Sequence, residues 1–402
     1  MKPKNLSPKN ILLCLAAVSI FGLLARWGSL GFPLPGSSVP STAGKLVVTA
    51  SVDGKSDVFL LEAKAGSPLV NLTNDEPDDG EPFFSTSGQT IAFTSNRYLT
   101  QFGSFATGDV RHLCVIDAAP RQKIIQLTRS AASSGTKERP MFHKSGNVYY
   151  LDGGRLISVN ADGGDPKAVF PHAEMKRENR LIAEIFEYGG VNSFAINADE
   201  TFALIVIKRE HDQLSLMYDM STETPFMVAR GKVIIPMFLP DGRAALILNG
   251  GIPLPQAVPI GMDMLDKLPS VAAVAPSEEG VEEDNSRITL FSSALAVDNV
   301  VELPIQPENA EVTLDGLRLV FWSAATGGKG GMGSTPIAQD GAPFQLSNKP
   351  VTAATLSPDS KQCAFVTNGI VYVNKIDGSG IEIQVSPSTA TVRGVHWSPA
   401  IK

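Results

Sequence analysis

The chain ends part-way through a repeat. Its last stretch, Val395-His396-Trp397-Ser398-Pro399-Ala400, is an apolar segment running into a Ser-Pro turn, with no second strand after the turn. The same opening recurs upstream with its continuation present. Phe83-Phe84 precedes Ser85-Thr86-Ser87-Gly88, Met237-Phe238 precedes Leu239-Pro240-Asp241-Gly242, and Leu356 precedes Ser357-Pro358-Asp359-Ser360. Weaker copies lie at Met141 to Gly146, Phe194 to Asp199 and Val312 to Gly316. At the other end, Gly44-Lys45-Leu46-Val47-Val48 has the character of the half that the C-terminus lacks. A repeat divided between the two termini is what a closed ring of repeats requires, and it limits the fold more than any other feature of the chain.

Each unit reads as strands joined by tight turns. Proline presets φ at the second turn position, aspartate hydrogen-bonds nearby backbone, and glycine relieves the exit. The flanking β-branched and aromatic residues suit strands. A second hairpin is marked by Asp53-Gly54, Asp162-Gly163-Gly164, Asp340-Gly341 or Asp377-Gly378. Several units close on an apolar residue and a hydroxyl: Leu72-Thr73, Leu127-Thr128, Leu346-Ser347 and Val385-Ser386. Four short strands per unit, repeating over some tens of residues, describe the blades of a β-propeller.

The best-formed unit runs from Leu72-Thr73-Asn74-Asp75 through Gly80-Glu81-Pro82-Phe83-Phe84-Ser85 to Ile91-Ala92-Phe93-Thr94-Ser95-Asn96-Arg97. It resembles the repeat of TolB-type propellers, the WD40-like or PD40 repeat. The resemblance is good there, fair from Leu356 to Ser386 and poor in the middle, and it covers most of residues 45–402. It implies an all-β propeller without the extra N-terminal domain of TolB. Turns near Ser87, Ser145, Asp199, Asp241, Asp315, Asp359 and Pro399 lead to an expectation of seven blades, with six as the alternative because the Asp199 copy is weak. In this register Val392 to Ser398 forms the inner strand of the blade whose other strands lie between Lys45 and Thr73.

Residues 1–31 read as a signal peptide or signal anchor, with a basic start, an apolar run from Ile11 to Ala25, and then Arg26. Residues 32–44 read as a linker rich in Pro, Ser and Gly. The expected location is therefore outside the cytoplasm, in the periplasm or a similar compartment, with membrane attachment through residues 11–25 if the leader is retained. Residues 252–286 read as a loop insertion ending in an acidic run. The chain carries a net charge of −7; without the first 43 residues the count is 30 basic against 41 acidic side chains, or −11. That excludes nucleic acid as the expected partner, since phosphate backbones need a basic surface.

The chemistry-bearing residues form no standard constellation. There is no Gly-x-Ser-x-Gly elbow, no His-Glu-x-x-His, no paired-cysteine motif and no phosphate loop. The glycine-rich run Gly327 to Ser334 reads as a flexible hairpin. Of five histidines (His112, His143, His172, His211 and His396), His143 and His396 hold similar places in their repeats, but on blades that are not neighbours. Cys114 and Cys363 also fall on non-adjacent blades and read as buried apolar residues rather than a disulfide. Asp75, Glu76, Asp78, Asp79 and Glu81 could hold Ca²⁺ but lack the spacing of a calcium loop, so they read as a solvated connector. Glu184, Glu187, Lys208, Arg209, Glu210 and Asp212 read as a second charged group at a blade edge.

The expectation is thus an exported, non-catalytic binding module for a protein or cell-envelope component. No catalytic residue, metal ligand or cofactor is assigned. The alternatives are a carbohydrate lyase or hydrolase using the central channel, and a structural subunit of a membrane-anchored complex.

Overall fold

The computed structural model describes residues 44–99, 105–128, 136–187, 189–260, 286–292, 296–325, 330–337 and 343–399. The expected leader and most of the linker (1–31 and 32–43) lie outside these residues, as does most of the expected insertion (261–285). No helix among the described residues is long and apolar enough to cross a membrane.

Twenty-seven strands are described in chain order, β1 being Lys45–Val52 and β27 Thr391–Trp397. They form five four-stranded antiparallel sheets and one seven-stranded sheet. The four-stranded sheets are β27-β1-β2-β3, with β2 Lys55–Glu62 and β3 Val70–Asn71; β4 (Asp79–Phe84), β5 (Thr90–Leu99), β6 (Phe105–Asp117) and β7 (Ile125–Gln126); β8 (Lys137–Phe142), β9 (Asn147–Asp152), β10 (Arg155–Asn160) and β11 (Lys167–Phe170); β19 (Asn309–Val312), β20 (Arg318–Ser323), β21 (Gly331–Pro336) and β22 (Phe344–Ser347); and β23 (Ala353–Leu356), β24 (Gln362–Thr367), β25 (Ile370–Lys375) and β26 (Ile383–Gln384). The seven-stranded sheet runs from β12 (Gly190–Ile196) to β18 (Val297–Leu303). Within it, the 15-residue β15 (Thr224–Phe238) serves twice. Its first half pairs with β14 (Gln213–Asp219), and its second half, from Val233, pairs with the start of β16 (Ala244–Pro259).

Seven apolar clusters lie between consecutive layers. Leu60 and Leu72 meet Phe84, Ile91 and Phe93. Leu113 and Val115 meet Phe142, Val148 and Tyr150. Within the long sheet, Leu204, Val206 and Met217 meet Leu246 and Phe291. At the end of the series, Ala364, Val366 and Val371 pack against Leu46, Val48 and Trp397, which brings the last sheet of the chain onto the first. The strand that opens each layer also lies beside its counterpart in the next: β27 beside β4, β4 beside β8, β19 beside β23, and β23 beside β27.

The C-terminal fragment occupies the place read from the sequence. β27 pairs antiparallel with β1, setting Trp397 opposite Leu46, Val395 opposite Val48 and Thr391 opposite Ser51. Val392 and Trp397 are buried. The repeat turns are also uniform. The fourth residue donates its backbone N–H to the first carbonyl in Gly88→Ser85, Gly146→His143, Glu200→Asn197, Gly242→Leu239, Gly316→Thr313 and Ser360→Ser357, at 2.8–3.0 Å. All six fourth residues have positive φ. Glycine meets that requirement at no steric cost, whereas Glu200 and Ser360 adopt it at φ 55° and 54°. The weak copy at Asp199 therefore differs from the others in sequence but not in backbone.

Three segments depart from the sequence reading. Residues 252–259, expected inside a loop, continue β16 and pair with Phe226 to Arg230. Pro253, Pro255 and Pro259 in that strand remove backbone donors, which limits further strand addition there. Gly331 to Ser334, the end of the run Gly327 to Ser334 expected as a flexible hairpin, belong to strand β21 (Gly331–Pro336), and a Cβ on Gly333 would come within 2.6–2.7 Å of the Phe321 ring. The glycine makes room for an aromatic cross-strand neighbour. Finally, two helices follow β11: α1 (Ala173–Glu178), capped by His172 accepting from Met175 N–H at 3.2 Å, and α2 (Arg180–Glu187). Met175 and Ile182 bury against Phe170 and Val191.

Candidate binding face

Antiparallel pairing places the starts of β4, β8, β12 and β27 at one end of their layers, opposite the repeat turns. Contacts between layers confirm a shared end for the turns: Lys144 pairs with Asp199 at 3.2 Å, and the Leu314 N–H donates to Ser360 Oγ at 2.7 Å.

At the other end, four opening strands carry bulges in matching places. The pairing register slips between Gly80 and Phe83 in β4, between Glu138 and Met141 in β8, between Val191 and Ser193 in β12, and opposite Thr49 and Ala50 in β27. The residues set off by these slips include Glu81, Arg139, Asn192 and Arg393. Glu81, Arg139 and Arg393 are exposed, and Glu81 and Arg139 have φ of 49° and 53°. A non-glycine residue at positive φ is strained, and such strain concentrates at functional positions. Bulges re-aim side chains in the same way. Glu81 is fixed from the next layer, because Oε2 accepts the Arg139 backbone N–H at 2.8 Å. Beside Asn192, a cavity of about 620 Å³ is lined by Gly190, Lys208, Arg209 and Glu210. Arg209 is held by Asp212 at 2.7 Å, and Asp212 also binds Arg230.

The acidic segment is split between burial and solvent. Asp79 and Arg97 are buried at 1% and 0% exposure, so the expectation of a solvated connector fails for the centre of the cluster. Arg97 Nη2 donates to both oxygens of Asp79 at 2.7 Å. Its two Nη atoms also reach Asp75 at 2.7 and 3.0 Å, and Nε donates to Ser95 Oγ at 2.7 Å. Oxygens of Asp57, Asp75 and Asp79 come within 4.8 Å of one another, the geometry of a small cation site. Asp75 and Asp79 are paired here with the Arg97 guanidinium, while Asp57 accepts from Asn71 at 2.8 Å and Thr73 at 3.1 Å. Burial pushes the Asp79 carboxyl up to about 6 while Arg97 pulls it down, so the pair is ionised at neutral pH. Sequence reasoning saw the carboxylates and the motif Ser95-Asn96-Arg97 separately. The pairing of β4 with β5, which sets Asp79 opposite Ser95, is what joins them.

Other titratable side chains link layers. His396 stacks on Phe83 at 3.8 Å and its Nδ1 accepts the Phe84 N–H at 3.2 Å; burial pushes this imidazole down to about 3. His143 instead sits just past β8, bound to Asn197 O at 3.0 Å and to Glu200. The two histidines are not equivalent, because His396 precedes its repeat's anchor residue Trp397 whereas His143 follows its own, Phe142. The structure does not bring them together. Glu311 Oε2 accepts the Leu356 N–H of the next layer at 2.9 Å, and burial pushes its carboxyl up to about 7 from 4.5. Cys114 and Cys363 are free and buried, on sheets separated by the β1–β3 layer. Glu184 and Glu187 belong to α2, while Arg209 and Asp212, read with them as one charged group, pair with each other, and Asp212 also binds Arg230.

Glu311 gives the clearest pH prediction. Its folded proton affinity exceeds the unfolded one, so its contribution is present below pH 4.5 and lost as pH rises through about 7. Glu311→Gln keeps an acceptor for Leu356 without the charge. The variant should match the parent near pH 4 and gain on it by up to about 1.4 kcal/mol per pH unit between those values. Solvent reaching this partly exposed residue makes that slope an upper limit. Urea titrations at pH 4, 6 and 8 check it; equal stability differences at all three would contradict it.

No protein-family model matches the chain. No curated protein matches it either. Among solved structures, it is similar to a functionally unknown protein from Desulfotomaculum acetoxidans at 12% identity and a TM-score of 0.53, covering 88% of this chain and 98% of that one. It is also similar to a putative 6-phosphogluconolactonase from Bacteroides fragilis at 10% identity and a TM-score of 0.50, covering 89% and 98%. TolB from Acinetobacter baumannii is matched at 11% identity over 91% and 90%, with a TM-score of 0.45 that carries no argument by itself. At such identities these likenesses show fold alone: the chain is an all-β propeller.

Proposed function

We propose that the chain is a seven-bladed propeller of TolB-like type. Dividing the long sheet at β15 supports seven blades, and the β27–β1 pairing with the apolar cluster beneath it supports closure of the ring. We further propose an exported, non-catalytic binding module for a protein or cell-envelope component, with residues 1–31 as signal or anchor and 32–44 as linker. The observation that carries the reading is the bulged end of the opening strands. Glu81, Arg139 and Arg393 are displayed there, while Asp79, Arg97, Glu311 and His396 are engaged in contacts within and between layers. Exposed charge on a rigid scaffold governs partner choice and encounter rate.

A photo-crosslinking amino acid at Arg139 should capture a discrete partner in cells, identified by mass spectrometry, and one at Lys144 on the turn end should not. Equal background from both positions, together with metal in the purified protein, would favour the channel-enzyme reading instead.

A further inference from the structure

The turn end carries a second site, unrelated to the bulged face. Between the β19–β22 and β23–β26 sheets lies a cavity of about 600 Å³, lined by Arg318, Asp359, Ser360, Lys361, Lys375 and Asp377 among others. Three cations and two carboxylates converge on it. The carboxylates face donors of their own turns. Asp359 Oδ1 accepts from Ser357 Oγ at 2.6 Å and from the Lys361 backbone N–H at 3.2 Å. Asp377 Oδ1 accepts from Ser379 Oγ at 2.7 Å and from its N–H at 2.9 Å. The cations lie near the carboxylates of these turns, Lys361 by Asp359 and Lys375 by Asp377, without closing on them. Among the described residues, neither Lys361 nor Lys375 forms an ion pair. Arg318 is clamped in place: Nε donates to Ser334 Oγ at 3.0 Å, and the guanidinium lies 4.7 Å from the centre of the Phe344 ring. Its Nη2 is nonetheless buried without a hydrogen-bond partner.

We propose that this cleft binds a phosphate-class anion through Arg318, Lys361 and Lys375. Arg318 supplies a pre-oriented planar donor, and the two lysines supply mobile point charges, a combination suited to a tetrahedral oxyanion. Ser360 also lines the cavity, and its hydroxyl accepts from the Leu314 N–H, which ties the turn of one sheet to that of the other.

The full chain should be titrated calorimetrically with inorganic phosphate and with glycerol 3-phosphate, against sodium chloride of equal ionic strength. Saturable binding of either is expected. The stronger of the two distinguishes a free anion from a phosphate carried on a larger molecule. Lys361→Gln/Lys375→Gln should bind about tenfold more weakly or worse, since an ion contact near the surface is worth on the order of one decade in affinity. These lysines are outside the core, so the variant should fold; an unchanged thermal midpoint without ligand confirms that. Arg318→Gln is the harsher test and is read only if it too keeps its midpoint. No saturable heat with either anion, or equal affinity in the double lysine variant, would overturn the assignment. The site is at the opposite end from the bulged face, so neither result bears on the proposed partner.

Discussion

Removal of residues 391–402 is expected to abolish the cooperative unfolding transition. The truncation deletes β27 and leaves β1 with an open edge. It strips cover from Leu46, Val48 and Ala50, which are fully buried, and from Ala364 and Val366 in the preceding blade. Burial of Val392 and Trp397 alone is worth about 1.5–3 kcal/mol per side chain. Their loss, with that of the backbone pairing and of the partly buried Val395, approaches the roughly 5–15 kcal/mol that a whole domain has to spare. Circular dichroism melting of the truncated chain should show a broad, low-temperature loss of strand signal or aggregation. A sharp transition at the parent midpoint would mean that the C-terminal strand contributes nothing to the fold.

Arg97→Leu is expected to have the largest effect of any single substitution considered. The guanidinium is fully buried and holds Asp79 and Asp75 together. Replacing it leaves Asp79 charged, desolvated and without a counter-ion, which costs about 3–5 kcal/mol at neutral pH. The sign of the pH dependence follows from the same contact. Asp79 already has a carboxyl pushed up to about 6, and without Arg97 it rises further. The folded variant therefore binds a proton more readily than its unfolded chain, and stability is regained as the pH falls. Adding Asp79→Asn should recover a large part of the loss at pH 7, because it removes the charge rather than restoring the pair. Denaturant titrations of the single and double variants at pH 5 and 7 check this. A single variant within 0.5 kcal/mol of the parent (the range of an ordinary surface change) would show the network to be dispensable.

The parts of this fold that were legible in the sequence are those fixed by local backbone chemistry. A Ser-Pro-Asp or Asp-Gly turn announces itself because only a few residues favour those dihedrals, and the Asp53-Gly54 hairpin has φ of 57° and 84°, as a two-residue primed turn requires. The partner of Trp397 was legible because only one half-repeat was left over. The helices after β11 leave no mark in the repeat pattern, because Ala173 to Glu187 repeats nothing. The run is nevertheless rich in Ala, Glu, Lys, Arg and Leu and free of Gly and Pro, which is a helix signal in its own right. The extension of β16 was obscured by its prolines, which read as loop until β15 is seen beside them.

The charged sites were less legible for a different reason. Asp79 and Arg97 are 18 residues apart and meet only once β4 and β5 pair. Arg318 and Lys361 meet across two blades. Charge composition reports how many such groups exist, whereas their burial and company depend on strand register. The bulges that display Glu81, Arg139 and Arg393 leave a trace in only two strands, the Glu81-Pro82 and Arg139-Pro140 pairs, where proline marks a break in the ladder.

The most direct test of the proposed ring closure is a disulfide across the β1–β27 pairing. Ser51 and Thr391 are paired residues of β1 and β27, 340 positions apart in the chain. Ser51→Cys/Thr391→Cys, oxidised under mild conditions, should form an intramolecular bond that joins the peptides containing both positions in a non-reduced digest, while Cys114 and Cys363 stay buried and unmodified. Closure by β27 predicts that cross-linked peptide in the folded monomer and a higher thermal midpoint than in the reduced form. Two freely alkylated thiols at positions 51 and 391 under the same conditions would contradict it.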